Sequence, residues 1–205
     1  MDPVIVLRAA ALTLAAFVIG GIPWGVIVAR LSGGPDPRTI GSGRTGGANV
    51  MRAVGPRLAL VSGLLDMLKG TAAVLLVRLI GAGVEVEVLA GLAATVGHSR
   101  SIFLGFSGGR GVSAAFGAAL VLAPVASAAI LVVFLVVLAV WRYTSLASLV
   151  GAAAGGIAVT VQVVATDLHP VLLAFAIGGA LLIWLFHLDN IGRLLRGEER
   201  KFGAK

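Results

Sequence analysis

Long apolar stretches alternate with short polar ones along this chain. An α-helix needs about 20 apolar residues to cross the hydrocarbon core of a bilayer. Runs near this length, with few charged residues, lie at 4–30, 58–80, 88–104, 145–164 and 170–188. Another apolar stretch, 112–140, contains Pro124, where we expect the chain to reverse between two short helices. The pattern predicts an all-α, polytopic bundle of transmembrane helices.

Composition points to lipid as the solvent. Of the 205 residues, 59% are hydrophobic and 12% are charged, whereas a soluble domain needs far more polar surface. The first run is expected to be a retained helix and not a signal peptide, because Asp2 precedes Arg8 and further spans follow. The chain has no cysteine, which excludes disulfides, a thiol nucleophile and a thiolate metal site.

Charge is distributed unequally between the connections. Segments 32–57 and 98–111 are basic, whereas connections 81–87 and 165–169 contain acidic residues and no lysine or arginine. The tail that begins at 187 is also basic, through Arg193, Arg196, Arg200, Lys201 and Lys205. By the positive-inside rule the basic segments face the cytoplasm, so the N-terminus lies outside and the C-terminus is cytoplasmic.

This orientation sets the expected number of spans. An even number of crossings must separate segment 98–111 from the cytoplasmic tail, and two lie at 145–164 and 170–188. The stretch 112–140 must therefore contribute an even number, which gives seven spans, two of them shorter than a full crossing. Five spans is the alternative, if 112–140 only dips in and returns. A single membrane-embedded domain is expected over 1–205.

The net charge of +7 suits phosphate and anionic lipid. We do not expect nucleic-acid binding, because aromatic residues amount to only 6% and there is a single tyrosine. Within span 58–80, Asp66 and Lys69 are three residues apart and share a helix face, where they neutralise each other. They form either a structural ion pair or part of a polar site that opens to the cytoplasm.

Residues 41–52, which we call motif 1, are too polar and glycine-rich for a simple connector. Glycines let the backbone approach a ligand, Ser42 and Thr45 are expected to cap a helix, and a helix N-terminus attracts an anion. Arg52 would then hold a phosphate with two hydrogen bonds. The alternative is a flexible loop with ordinary cytoplasmic arginines.

Motif 2, residues 97–112, repeats this chemistry. Here a glycine turn, a cation and the start of an apolar helix converge, in the run Ser107, Gly108, Gly109, Arg110 and Gly111. The upstream His98 lies at the membrane boundary and is either a hydrogen-bonded structural residue or a catalyst.

Motif 3, residues 187–201, begins where the last predicted span ends. At helical spacing His187, Asn190 and Arg193 lie along one face, with Asp189 turned away. The alternative is a basic amphipathic helix that lies on the membrane surface. Together the three motifs predict a site for a phosphorylated substrate at the cytoplasmic boundary.

Several other kinds of site are excluded by spacing. His98, His169 and His187 lack the spacing of metal ligands, and neither a nucleophile elbow nor a P-loop is present. The His-x4-Asp dyad of the common glycerolipid acyltransferases is missing as well, because no histidine is followed five positions later by aspartate.

The three motifs together resemble the bacterial acyl-phosphate:glycerol-3-phosphate acyltransferases of the PlsY type. The resemblance extends to residues 21–25 (GIPWG) and to the Asp66-x-x-Lys69-Gly70 pattern, so it covers nearly the whole chain. It implies acyl transfer from a fatty acyl phosphate to the 1-hydroxyl of glycerol 3-phosphate, giving lysophosphatidate and phosphate. It also implies a multi-pass protein of the bacterial inner membrane, with a cytoplasm-facing site and neither a metal nor another cofactor.

The resemblance also implies roles for residues of this chain. Ser42, Arg52 and Arg110 would hold substrate phosphate, together with the glycines at 108, 109 and 111. His187 and Asn190 would position glycerol 3-phosphate and the acyl carbonyl, so the catalytic set is Ser42, His187 and Asn190. The supporting residues would be Asn49, Asp66, Lys69, His98 and Glu199. The expected partners are the lipid bilayer, the two substrates and the enzyme that makes acyl phosphate.

The resemblance leaves some alternatives open. The proton of the attacking hydroxyl passes either to a phosphate oxygen or to His187. The family usually has asparagine at 44, threonine at 47, proline at 101 and lysine at 110, where this chain has Arg44, Gly47, Ser101 and Arg110. These departures leave open a related acyltransferase with another phosphorylated acceptor. An organophosphate transporter or channel and a lipid-recruiting scaffold are the non-enzymatic alternatives.

Overall fold

The computed structural model describes residues 2–203, which divide into two compact units, unit 1 up to Leu122 and unit 2 from Ala123. Both are helical, and within the described residues the β-type pairing is confined to one isolated bridge between Ser101 and Ser107. The all-α prediction is confirmed. Lys205 lies outside the described residues, and the single domain over 1–205 stays a prediction.

Unit 1 carries the first two motifs between its apolar helices. Its α-helices are α1 (Pro3–Gly21), α2 (Trp24–Leu31), α3 (Gly47–Val54), α4 (Pro56–Ile80), α5 (Val84–Ser99) and α6 (Val112–Leu122). Short 3₁₀ turns at Pro37–Thr39 and Ile102–Leu104 lie in the polar connections. Motif 1 therefore surrounds the start of α3, and motif 2 connects α5 to α6.

Small residues let these helices pack closely. A Cβ atom added to Gly20 of α1 would meet the backbone of Ala94 in α5, and one added to Gly117 of α6 would meet the backbone of Met67 in α4. The buried cluster is correspondingly built from small side chains: Ala16, Ala73, Val77, Val86, Ala90 and Ala94. In lipid, where helices associate mainly through van der Waals contact, such close approach is a principal stabilising term.

The first predicted span, 4–30, is two helices and not one. Pro23 has no N–H to donate to the preceding turn, so α1 ends at Gly21 and α2 begins at Trp24. The carbonyls at the break are bonded by side chains from elsewhere in unit 1. Ser101 Oγ donates to Gly21 O at 2.5 Å, and Lys69 Nζ donates to Ile22 O at 2.7 Å.

The far end of unit 1 has its own polar contacts. Arg8 donates to Ile80 O at 2.7 Å, where α4 ends. Arg78 of α4 and Glu87 of α5 form an ion pair at 2.6 Å. These contacts lie near the connection 81–87, which the charge pattern assigns to the outer face.

Unit 2 contains motif 3. Its helices are α7 (Pro124–Trp141), α8 (Thr144–Ala165), α9 (Leu172–Phe186) and α10 (Leu188–Leu195). α8 packs against both α7 and α9. Gln162 of α8 accepts from Ala126 N at 3.1 Å, and Trp184 of α9 donates to Leu149 O at 3.3 Å. α9 and α10 meet at 62°, so His187 lies at a bend.

Four apolar helical stretches in the described chain are long enough to cross a membrane: α1 with α2, α4, α7 and α8. The bent α9–α10 pair is a fifth, while α5 has 16 residues and α6 has 11. Leu79 and Val164 are 84% and 82% exposed, as expected for side chains in contact with lipid. The count of seven and the orientation stay predictions.

Two predicted boundaries can be compared directly with the helices. The break within 112–140 is confirmed, because α6 ends at Leu122 and α7 begins at Pro124. The span 88–104 was placed too late in the sequence, since α5 begins at Val84 and ends at Ser99. Glu85 and Glu87 at its start concealed the beginning of this helix.

Gly20→Ala is expected to destabilise the protein by about 1–3 kcal/mol, because the added methyl group overpacks the α1–α5 contact. The measurement is the thermal midpoint in detergent. Gly63→Ala is the matched control, since nothing lies within 4 Å of a Cβ at that helical position. An unchanged midpoint for Gly20→Ala would contradict the close packing.

Candidate active site

Asn49 organises motif 1. Its side chain is buried, and its Nδ2 donates to Ser42 Oγ at 3.1 Å and to Arg44 O at 2.9 Å. Its Oδ1 accepts from Arg52 Nη1 at 3.0 Å and, at 3.5 Å, from Ser42 N. One amide therefore fixes the loop and the guanidinium together. The structure brings Ser42, Asn49 and Arg52 into one cluster.

The expected capping of α3 is wrong. The residue before its first turn is Gly46, and no side chain caps it. Ser42 instead bonds to Asn49, and Thr45 is buried, with its carbonyl close to Gly25 of α2. Arg52 lies in the last turn of α3, so its position depends on Asn49 and not on the helix N-terminus.

Two glycines of motif 2 pack closely on His98, which belongs to the same motif. Gly109 N donates to His98 O at 3.1 Å, and a Cβ at Gly109 would overlap the imidazole near Nε2. A Cβ at Gly108 would meet the His98 carbonyl. Gly111 has φ +81° and packs against Thr95. The glycines predicted to bind phosphate thus have packing roles as well, and they fix the backbone on both sides of half-buried Arg110.

Asp66, Lys69 and His98 form a buried cluster between α4 and α5, which we call the ion cluster. Lys69 Nζ lies 2.7 Å from Asp66 Oδ1, and His98 Nδ1 lies 3.5 Å from the same oxygen. All three side chains are less than a tenth exposed. The predicted ion pair is confirmed, and His98 is the third member of the cluster.

His187 lies at the bend between α9 and α10, and its ring is buried. Nδ1 is 2.7 Å from Ile183 O. Because a carbonyl oxygen only accepts, Nδ1 carries the proton, and in a neutral imidazole Nε2 is then the acceptor. This tautomer is the one that a proton-accepting or hydroxyl-orienting histidine needs.

Glu199 accepts hydrogen bonds from two other residues of motif 3 and from one residue outside it. Its Oε1 accepts from Ser145 Oγ at 2.7 Å and from Asn190 Nδ2 at 2.6 Å, and its Oε2 accepts from Arg193 Nε at 2.7 Å. Burial opposes ionisation of this carboxyl group, but these hydrogen bonds and the charge of Arg193 outweigh it and lower the pKa of Glu199. Glu199 is therefore an anion that organises three donors.

The carboxylate of Glu199 also fixes the orientation of Asn190. A carboxylate only accepts, so the amide turns its nitrogen towards Glu199 and its oxygen the other way. Within residues 2–203, Asn190 Oδ1 is buried and accepts no hydrogen bond. The side chain of Asn190 thus offers a hydrogen-bond acceptor. An acceptor suits a substrate hydroxyl group, which can donate, better than a carbonyl oxygen, which only accepts.

No group of three or more histidine, cysteine, aspartate or glutamate side chains that could hold a metal ion is found within the same described range.

Comparisons with known proteins agree with these motifs. The sequence profile of the family described as glycerol-3-phosphate acyltransferase matches residues 10–197. The chain belongs to this family. A glycerol-3-phosphate acyltransferase of Rubrobacter xylanophilus is 42% identical, over 95% of each chain. One of Rhodospirillum rubrum is also 42% identical, over 94% of this chain and 90% of the relative.

The fold has solved relatives in the same family. The crystal structure of PlsY (YgiH), an integral membrane glycerol 3-phosphate acyltransferase, in its glycerol 3-phosphate form matches with a TM-score of 0.85. It is 35% identical, over 96% of each chain. The lysophosphatidic acid form matches with a TM-score of 0.82 at 33% identity. The chain is an integral membrane acyltransferase of phospholipid synthesis.

One residue of the hydrogen-bond network around Glu199, Ser145, was not predicted from the sequence. Ser145 lies in the first turn of α8 and bonds to Glu199, which is 54 positions later. A single serine at the start of an apolar helix is too common to single out. The sequence signal that was available is weak, namely a hydroxyl group three positions after the basic residue Arg142, near a helix boundary.

Glu199→Gln is expected to lower the thermal midpoint at neutral pH, because an amide cannot accept from all three donors. The pKa of Glu199 is lowered in the folded state, so its stabilisation is present above the ordinary glutamate pKa of about 4.3 and is lost as the pH falls through the lowered value. The difference between wild type and variant should therefore shrink in acid.

The control for this titration is Glu198→Gln. Glu198 pairs only with Arg196 in the contacts described, at 2.7 Å, and both side chains are more than half exposed. Such exposed pairs add little stability, so the midpoint should barely change. A gap between wild type and Glu199→Gln that stays constant with pH would contradict the proposed role of the carboxylate.

Proposed function

We propose that this chain transfers a fatty acyl group from an acyl phosphate to the 1-hydroxyl of glycerol 3-phosphate, giving lysophosphatidate and phosphate. The observation that carries the proposal is the Asn49 cluster, which holds the hydroxyl of Ser42 and the guanidinium of Arg52 together in motif 1. A cation and a hydroxyl group fixed in advance suit a phosphate ligand. Solved relatives in glycerol 3-phosphate and lysophosphatidic acid forms support the acceptor and product.

An acyl phosphate donor suits the residues present. The hydroxyl oxygen attacks the acyl carbon, the bond from that carbon to the phosphate oxygen breaks, and phosphate leaves. Because this leaving group is stable, the protein needs orientation and positive charge and no covalent nucleophile. Ser42, Arg52 and Arg110 would hold the phosphate groups, with the glycines of motif 2 shaping the backbone beside Arg110.

Asn190 and His187 would direct the acceptor hydroxyl. Asn190 Oδ1 is an acceptor whose orientation Glu199 fixes, and His187 Nε2 is an acceptor in the neutral ring. These groups orient the hydroxyl, while a phosphate oxygen takes its proton. By the positive-inside rule we further propose an inner-membrane location with the motifs facing the cytoplasm, where the enzyme that makes acyl phosphate would associate with this one.

The proposal predicts phosphate release by the purified protein in lipid when acyl phosphate and glycerol 3-phosphate are both supplied. Arg52→Ala and Arg110→Ala should each raise the apparent KM for glycerol 3-phosphate by about tenfold or more, because a charge-assisted contact is lost. Unchanged KM values in both variants would contradict the phosphate roles. Uptake of glycerol 3-phosphate into vesicles without phosphate release would instead identify a transporter.

The pH dependence of the reaction tests where the proton goes. If a phosphate oxygen takes the proton, His187→Ala lowers kcat but keeps the acidic limb of the pH–rate profile. The measurement is kcat against pH for wild type and variant under saturating substrates. Loss of the acidic limb in the variant alone would mean that His187 is the general base.

A further inference from the structure

The break at Ile22–Pro23 depends on a charge buried in unit 1. A helix end leaves carbonyl groups without intrahelical partners, and in an apolar bundle water does not replace them. Lys69 reaches Ile22 O from α4, 47 positions later. An ammonium group buried to this extent needs a counter-ion, which Asp66 supplies one helical turn earlier.

From this break, α2 leads directly to motif 1. A Cβ at Gly25 would lie 2.5 Å from Thr45 O and 3.0 Å from Val50 Cγ2. Val50 is fully buried in α3, the helix that also carries Asn49 and Arg52. The position of motif 1 is therefore tied to the direction in which α2 leaves the break.

The other side of the ion cluster leads to motif 2. The His98 ring faces Asp66 with Nδ1, at 3.5 Å, and faces Gly109 with its Nε2 edge. The His98 carbonyl accepts from Gly109 N. Arg110 is the next residue, so the backbone that presents its guanidinium rests on the imidazole.

We propose that the ion cluster of Asp66, Lys69 and His98 is a positioning device that holds motif 1 and motif 2 in the relative arrangement that phosphate binding needs. Lys69 acts through Ile22 and α2, and His98 acts through Gly109. These residues do not touch substrate. The inference rests on the proposed function, because that proposal assigns the phosphate to Ser42, Arg52 and Arg110.

The principal test is the double variant Asp66→Asn with Lys69→Met. It removes both charges with little change in volume, so no unpaired buried charge is left to prevent folding. Misplaced phosphate ligands should raise the apparent KM for glycerol 3-phosphate by roughly tenfold, with a smaller loss in kcat.

Glu87→Gln is the matched control. It removes the charge of a second ion pair, Arg78–Glu87, which joins α4 to α5 near the connection 81–87. If the ion cluster only stabilised helix packing, both variants would lower the thermal midpoint and leave KM within about twofold of wild type, which would overturn the proposal. A KM increase confined to the double variant supports it.

A spectroscopic measurement tests the geometry without substrate. The chain has no cysteine, so Thr39→Cys and Ser107→Cys place two unique spin labels at exposed positions beside motif 1 and in motif 2. The distance distribution should broaden or shift in the double variant and stay unchanged in Glu87→Gln. An unchanged distribution in both would overturn the inference. Failure of wild type to use acyl phosphate would overturn the proposed function alone, since the label distances do not depend on it.

Discussion

A bilayer offers no hydrogen-bond partner to a peptide group, and the rest of this structure depends on that constraint. It restricts the apolar segments to helices, and any break in a helix then needs polar side chains from elsewhere. At Ile22–Pro23 those side chains are the Lys69 ammonium and the Ser101 hydroxyl. The lysine in turn requires Asp66, so a single proline determines a buried charge pair in another helix. The buried polar side chains of unit 1 are therefore linked to the hydrogen bonds that satisfy the backbone at this break.

Each polar cluster is organised by one side chain whose hydrogen-bonding groups match its neighbours. Asn49 both donates and accepts, which lets it hold a serine hydroxyl and an arginine at once. Glu199 only accepts, and it gathers three donors. In both clusters the side chains that we propose to contact substrate are already ordered, so substrate binding would not have to supply that ordering free energy. This arrangement suits the proposed reaction, whose acyl phosphate donor would already be activated.

The sequence predicted most of the fold, because long apolar runs are a direct consequence of a lipid environment. It placed α4 and α8 within about two residues and located the break at Pro124. It missed the break at Pro23, where the residues on both sides are equally apolar, and the start of α5, where two glutamates interrupt the pattern. The three motifs came from residue patterns, whereas the detailed roles of their residues came from the family resemblance. The bonds from Lys69 to Ile22 and from Ser145 to Glu199 join distant positions, and neither apolar periodicity nor motif spacing records such pairs.

In the proposed phosphate site, arginine at position 110, where the family resemblance leads us to expect lysine, makes the backbone of motif 2 more important in this chain. An ammonium group is a point charge that accepts a phosphate from many directions, whereas a guanidinium group binds through a planar fork and loses contacts when it is tilted. The fork is therefore useful only if the preceding backbone is fixed. Here Gly109 packs on His98, whose ring faces Asp66 in the ion cluster. Under the proposed function, Arg110 and the buried cluster thus meet one physical requirement, because a directional phosphate ligand needs a rigid support.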